Sequence, residues 1–351
     1  MTDQPWPCFR LPSFPRFGPA RHHPDASRLE ARCRTWLTRT LADAYHDRPG
    51  EFERFLDQRT TLWILLTYPT VPADRVELLC RWIDVLFSLD DLFVHATAQR
   101  AQRLGLHHLP SIVRDHRAAT GTAHVDAIAA LCRHTRDTAA PAVWSRIADT
   151  LEGFFDACQT ERHWQDTGQT VDLDTYVRSR TRSVGECCFP LLEHGLGIDL
   201  TREPADHLEL HRLTTLVARH WIGVNDIFSY RKELYSGDSA NEVTLALVDN
   251  GGDLQAAVDR VADTVRATED DFADVRDRLL AGTGGRNPAV RRYVEALRWM
   301  IAGNLEWSYI TTRYNGAGHV WDRRTDAIVT LTPERTLYSP APVDTAVDPI
   351  R

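Results

Sequence analysis

The chain has 351 residues, 26% of them charged and 43% hydrophobic, the profile of an ordinary globular protein. Lys and Arg total 41 against 49 Asp and Glu, and the net charge of −8 argues against a general nucleic-acid or anionic-membrane surface, which needs a positive field. The seven cysteines are odd in number and have no C-x-x-C spacing, which argues against a disulfide framework or a thiolate zinc site and for free thiols in a reducing cytoplasm.

Residues 1–25 are rich in proline and predict an extended N-terminal arm, since proline lacks the amide hydrogen that a helix interior uses. Asp3 comes early and no basic-then-apolar order follows, so the segment does not read as a signal peptide. Apolar residues then recur at three- and four-residue spacing. One face is Leu78, Leu79, Trp82, Ile83, Leu86 and Phe87, ending at Asp90; another is Leu210, Leu213, Leu216, Val217, Trp221 and Val224. Breaks fall at Pro69, Pro72, Pro141, Pro190, Pro204, Pro288, Gly251-Gly252 and Gly284-Gly285. The pattern predicts one all-α domain over residues 26–324, with about ten to twelve helices and no internal repeat. No apolar run reaches the roughly 18 residues of a membrane span. After Trp321 the chain turns polar and proline-bearing, and residues 325–351 predict a disordered tail.

Four polar groups interrupt this apolar pattern. Asp90-Asp91 ends a strongly apolar helix, where two carboxylates are costly to bury unless a cation pairs with them. Alone, the pair fits a metal site and an exposed helix end equally. Arg180 offers a guanidinium just before the glycine break at Gly185. Asn225, Ser229 and Glu233 stand four residues apart, which places an amide, a hydroxyl and a carboxylate within about 80° on one helical face. Such an all-oxygen set suits Mg²⁺, although the same spacing also describes a solvated stripe. The apolar run from Leu216 to Val224 directly before it favours an interior cavity. Arg313-Tyr314 follows another apolar helix and pairs a guanidinium fork with a phenol, a combination suited to phosphate oxygens.

Taken together, in this order, the four groups resemble the class I terpene synthases, in their bacterial branch. The resemblance runs over about residues 60–315. Asn225, Asp226, Ser229, Lys232 and Glu233 follow that family's metal-binding triad motif closely, and Gly237-Asp238, Asn241 and Val243 resemble the loop after it. Gly303, Asn304, Leu305 and Trp307 before Arg313-Tyr314 are similar to its C-terminal signature. Arg180 lies 45 residues before Asn225, close to the offset of the family's diphosphate-sensing arginine. The sequence departs from the family where a third acid usually follows Asp90, since the two candidate positions hold Val94 and His95.

The resemblance implies a helical bundle around an apolar cavity and a cytoplasmic enzyme that cyclises a linear prenyl diphosphate, farnesyl or geranylgeranyl. Three Mg²⁺ ions are implied, held by Asp90 and by Asn225, Ser229 and Glu233. Arg180, Lys232, Arg313 and Tyr314 would bind diphosphate, with Asp90, Arg180, Arg313 and Tyr314 acting in catalysis. Ser183 and Val184 would form the effector region after Arg180. Asp91 would hydrogen-bond to neighbouring basic groups, and His95 would contact Asp91 or cap its helix. Phe87, Phe154, Trp221, Phe228 and Trp307 are candidates for the cavity lining, with Phe87 and Trp307 preferred. No nucleic-acid partner or membrane insertion is implied, and a homodimer is an assembly common to the fold. Two other readings remain: a chain-elongating prenyl diphosphate synthase, and a helical binding protein that has lost catalysis. Lys232 is the chain's single lysine among forty arginines, and it falls inside the triad motif.

Overall fold

Thr60–Thr67 is a helix buried on every side, with Thr60, Leu62, Trp63, Ile64, Leu65, Leu66 and Thr67 all almost without exposure. A helix that is apolar all round has to be enclosed by others. Here Ala26–Leu41, Ala73–His95 and Pro288–Ile310 pack around it. The computed structural model describes residues 6–340 except 15, 47, 97, 116–120, 203–205, 238–239 and 283.

Two contacts fix this centre. Gly303 lies where Pro288–Ile310 crosses Thr60–Thr67, and a Cβ there would come within 2.4 Å of the Leu66 carbonyl, so only glycine permits the approach. Asp84 is fully buried on Ala73–His95 and accepts hydrogen bonds from the Thr60 and Thr61 hydroxyls at 2.6 and 2.8 Å. Burial pushes its carboxyl up to about 7 against the opposing pull of those two hydroxyls. The Asp84 contact therefore sets how Ala73–His95 sits on the central helix, and Asp90 follows six residues later.

The long helices Pro141–Thr167, His207–Ser236 and Leu254–Ala281 complete the bundle with Leu173–Ser183. Side chains cap Leu173–Ser183, Pro288–Ile310 and Glu242–Asp249. Asp172 accepts from the Thr175 amide, Asn287 from that of Ala289, and Asn241 from those of Val243 and Thr244. The all-α architecture expected for the body of the chain is the one observed. Among the described residues no helix is long and apolar enough to cross a membrane.

The ends differ from expectation. Cys8–Arg10 (β1), Ala327–Leu331 (β2) and Thr336–Pro340 (β3) form an antiparallel sheet in the order β1-β2-β3, with Phe9 opposite Val329 and Val329 opposite Tyr338. Within the N-terminal arm, Cys8–Arg10 is a strand, and Phe9, Leu11 and Phe14 are buried. The disordered tail expected from residue 325 is corrected for 327–340. Ala327, Val329 and Leu331 alternate inward with Ile328 and Thr330, a two-residue period that gives one face to bury. Residues 341–351 lie outside the described part.

Candidate active site

His207–Ser236 carries Asn225, Ser229 and Glu233 on one face, and that face looks into a cavity of about 1280 Å³, its open mouth included. The same cavity is lined by Asp90, Arg180, Ser183, Val184, Lys232, Arg313 and Tyr314, with Phe87, Phe154 and Trp307 in its wall. The fold thus brings side chains from six separate helices to one space. Trp221 and Phe228 are not part of its wall. Trp221 packs against Trp63 and Phe189 at ring distances of 5.1 and 5.8 Å, and Phe228 against Tyr309 at 4.8 Å, which makes both core.

At the mouth, Arg313 joins two carboxylates. Its Nη2 donates to Asp90 Oδ2 and its Nη1 to Asp91 Oδ1, both at 2.6 Å. Burial works against this guanidinium's charge, but Asp91 and Asp90 outweigh burial and hold its pKa above the usual arginine range. Lys232 Nζ stands 3.6 Å from Asp91 Oδ1, and Gln58 Nε2 donates to Asp91 Oδ2 at 3.4 Å. The side chain of His95, like that of Val94, lies outside the described residues.

Across the cavity, Arg180 is the hub of a second network. Its Nη2 donates to Asn225 Oδ1 at 2.8 Å and its Nη1 to Ser183 Oγ at 3.2 Å. Asn225 Nδ2 in turn donates to the Tyr314 hydroxyl. Burial opposes the Arg180 charge as well, and Tyr176, Glu161, Asp226 and Asp90 more than offset it, so Arg180 remains a cation. Burial pushes the Tyr314 phenol well above its ordinary value and keeps it protonated as a donor.

Three more residues build the site: Glu161 and Tyr176, to which the sequence assigns no role, and Asp226, which it gives only as a member of the triad motif. Glu161 lies in the cavity wall on Pro141–Thr167 and accepts from Ser183 Oγ at 2.6 Å and Ser179 Oγ at 3.2 Å, with Arg180 at 3.7 Å. Burial raises its carboxyl, with Arg180 opposing. Asp226, fully buried behind Asn225, accepts from the Tyr176 hydroxyl at 2.8 and 2.9 Å and from the Glu242 amide at 2.8 Å. Its carboxyl is raised by burial first and by the Glu233 charge second. Tyr176 precedes Arg180 by one helical turn, a spacing that was visible in the sequence, whereas Glu161 had no local signal.

The donor set fits a hard divalent cation. Ser229 is 1% exposed, lines the cavity between Asn225 and Glu233, and its hydroxyl has no hydrogen-bond partner among the described residues. A buried hydroxyl is rarely left unsatisfied without a reason, and an ion or water at the cavity would satisfy it. Asn225 Oδ1 keeps a second lone pair beside its bond to Arg180. The Asn241 side-chain amide donates to Glu233 Oε2 and, at 2.9 Å, to the Asp226 carbonyl, so the carboxylate is held by a residue that also caps the next helix.

Residues 81–271 match the family model described as terpene synthase family 2, C-terminal metal binding. The chain belongs to this family. Among its relatives, "Microbial Terpene synthase-like protein 13" of Selaginella moellendorffii is 27% identical over 308 residues, 86% of this chain and 85% of that protein. "Sesquiterpene synthase 1" of Postia placenta is 28% identical over 278 residues, 77% of this chain and 80% of that protein. The crystal structure of germacradien-4-ol synthase from Streptomyces citricolor has the same fold at a TM-score of 0.73 and 22% identity, covering 85% of this chain and 97% of that one. The linalool/nerolidol synthase from Streptomyces clavuligerus, in complex with 2-fluorogeranyl diphosphate, matches at 0.72 and 23%, covering 86% and 100%. These relatives come from a plant and a fungus as well as Streptomyces, so the likeness is not confined to the bacterial branch.

As a terpene synthase this chain is a lyase acting on prenyl diphosphates, in a family whose C-terminal domain binds metal. Lys232 then stands in a mixed-charge setting, beside Asp91 and lining the cavity with Arg313 and Arg180. A compact ammonium and a broad guanidinium fork do not fill that space alike. Lys232→Arg is expected to lower kcat/KM for diphosphate release by about tenfold, or roughly 1.4 kcal/mol. Wild-type activity in this variant would make the single lysine incidental.

Proposed function

We propose that the enzyme ionises farnesyl diphosphate in a Mg²⁺-dependent step, cyclises the resulting allylic cation in its apolar cavity, and releases inorganic diphosphate. The observation that carries this reading is the Ser229 hydroxyl on the cavity wall, without a hydrogen-bond partner among the described residues and bracketed on one helix face by Asn225 and Glu233. With Asp90, these residues would hold the metal, three ions being expected. The bound metal would supply positive charge where the carbon–oxygen bond breaks and the electron pair moves to the diphosphate. Arg180, Lys232 and Arg313 add fixed cations and Tyr314 a hydroxyl donor, all lining the same cavity. Ser183 and Val184, three and four residues after Arg180, line the cavity as the effector region, with Ser183 Oγ accepting from Arg180. Phe87, Phe154 and Trp307 present aromatic faces to the cation and exclude water until a proton is lost.

Two features favour a C15 substrate and an intracellular setting. The Postia placenta relative is named a sesquiterpene synthase, which is a C15 product class. All seven cysteines are free and six are buried, in keeping with a reducing cytoplasm. The test is incubation with C10, C15 and C20 allylic diphosphates in Mg²⁺ buffer, without isopentenyl diphosphate, followed by hydrocarbon analysis. Cyclic C15 products with stoichiometric diphosphate are expected. Turnover only of the C20 substrate would replace farnesyl by geranylgeranyl diphosphate, and turnover only after isopentenyl diphosphate is added would replace cyclisation by chain elongation.

A further inference from the structure

The sheet at the chain ends is bonded to the segment that carries Arg313 and Tyr314. Arg231, immediately before Lys232 on His207–Ser236, is 7% exposed. Its Nε donates to the Tyr314 carbonyl at 3.1 Å and its Nη1 to the Pro333 carbonyl, in the β2–β3 turn, at 2.9 Å. From the same helix, the Tyr235 hydroxyl donates to the Leu331 carbonyl at 2.9 Å. From the other side, the Tyr338 hydroxyl of β3 donates to Asn315 Oδ1 at 2.5 Å. Gly316 forms a β-bridge with Arg335 and adopts φ +89°, and a Cβ there would lie 2.3 Å from the Glu334 carbonyl. The turn after Tyr314 is thus pressed against the hairpin as closely as backbone allows.

Arg231 is the junction of this arrangement. One guanidinium reaches from the helix of Asn225, Ser229 and Glu233 to the backbone of Tyr314 and to the hairpin behind it. The side chain is buried and its acceptors are neutral carbonyls. Burial lowers its pKa without a carboxylate partner among those acceptors, so its bonds serve geometry and not charge neutralisation. A rigid outer support of this kind is what a pair of phosphate-binding groups needs to be held within a fraction of an ångström.

We propose that the β2–β3 hairpin is a brace for diphosphate binding: Arg231 and Tyr338 are positioning residues that lock the 311–317 segment so that Arg313 and Tyr314 keep a fixed register against the Asn225–Glu233 face. This rests on the reading of Arg313 and Tyr314 as diphosphate-binding groups. It gives the C-terminal residues 327–340 a role in substrate binding at a distance from the cavity, which Tyr338 does not line.

The test uses Tyr338→Phe and Arg231→Gln in the full-length chain, with exposed Ser339→Ala as control. Amide hydrogen exchange of the 311–317 peptide is measured without ligand, and inorganic diphosphate is titrated calorimetrically in Mg²⁺ buffer. Loss of one hydrogen bond in Tyr338→Phe is expected to speed exchange and raise the diphosphate Kd by about fivefold each, with larger changes in Arg231→Gln and none in the control. A lower melting temperature with unchanged exchange would reduce these residues to ordinary fold contacts and overturn the brace. Faster exchange with unchanged diphosphate affinity would overturn its link to binding. A wild-type enzyme that binds no diphosphate would overturn the underlying reading instead. Tyr338→Phe removes only a hydroxyl, so the outcome is readable even if Arg231→Gln does not fold.

Discussion

Glu233→Ala and Asn225→Ala are each expected to lower kcat/KM for prenyl diphosphate ionisation by about a thousandfold, roughly 4 kcal/mol, while the protein stays folded. The size follows from the step itself, since the leaving group carries its charge away beside apolar side chains such as Trp63, Leu86, Phe87, Phe154 and Trp307. Asn225 and Glu233 would hold the metal, and losing either would remove part of the positive charge that the metal would supply to the leaving group beside Arg180, Lys232 and Arg313. Retention of the fold follows from the local bonding. Asp226 keeps the Tyr176 hydroxyl and the Glu242 amide when Glu233 is removed, and it sheds a neighbouring like charge. Asn241 keeps its bond to the Asp226 carbonyl and its cap on Glu242–Asp249. Glu233→Gln separates charge from packing: it can still accept from Asn241 but has no charge to hold a cation, and it is expected to be as inactive as the alanine variant. Near-normal diphosphate release in either alanine variant, at wild-type Mg²⁺, would remove the ligand assignment.

The parts of this site that could be read from sequence are those whose signal is repeated. Leu78–Phe87 and Leu210–Val224 each show several turns of one apolar face, so a single substitution cannot blur the period. The motif residues Asn225, Ser229 and Glu233 share one helix, and their relation survives without any tertiary information. The sheet is the opposite case. Its strands have three to five residues, and β1 finds its partner more than 300 residues away, with Phe9 opposite Val329. Five residues give barely two repeats of a two-residue period, and the polar, proline-bearing surroundings mask them. Glu161 failed for a related reason: its contacts to Ser179, Arg180 and Ser183 cross from one helix to another, and nothing near it in sequence points there. Trp221 and Phe228 sit on the same apolar helix as the metal motif, and periodicity cannot say which members of an apolar face meet a cavity and which meet another helix.

Arg313→Met is expected to lower kcat/KM by a similar factor, about a thousandfold, and unlike the triad variants it should also destabilise the protein. The guanidinium is 6% exposed and reaches both Asp90 and Asp91 in a fork, at 2.6 Å each, while its planar group lies 5.3 Å from the Phe87 ring centre. Methionine fills a comparable volume and leaves two adjacent carboxylates with Lys232, 3.6 Å from Asp91, as the nearest remaining ammonium. Removing one partner of a buried pair costs about 3–5 kcal/mol. The carboxylates here are 24% and 22% exposed, so solvent screening brings the expected loss to about 1–2 kcal/mol. Arg313→Lys tests whether charge or shape matters. A lysine restores one positive charge but cannot donate in parallel to two carboxylates or bidentately to a phosphate. It should recover most of the lost stability and little of the activity. Equal recovery of both in the lysine variant would mean that Arg313 acts as a point charge, and full activity in the methionine variant would take it out of diphosphate binding altogether. Stability is read from thermal unfolding without added metal and activity from diphosphate release, so the structural and chemical roles of one side chain are measured separately.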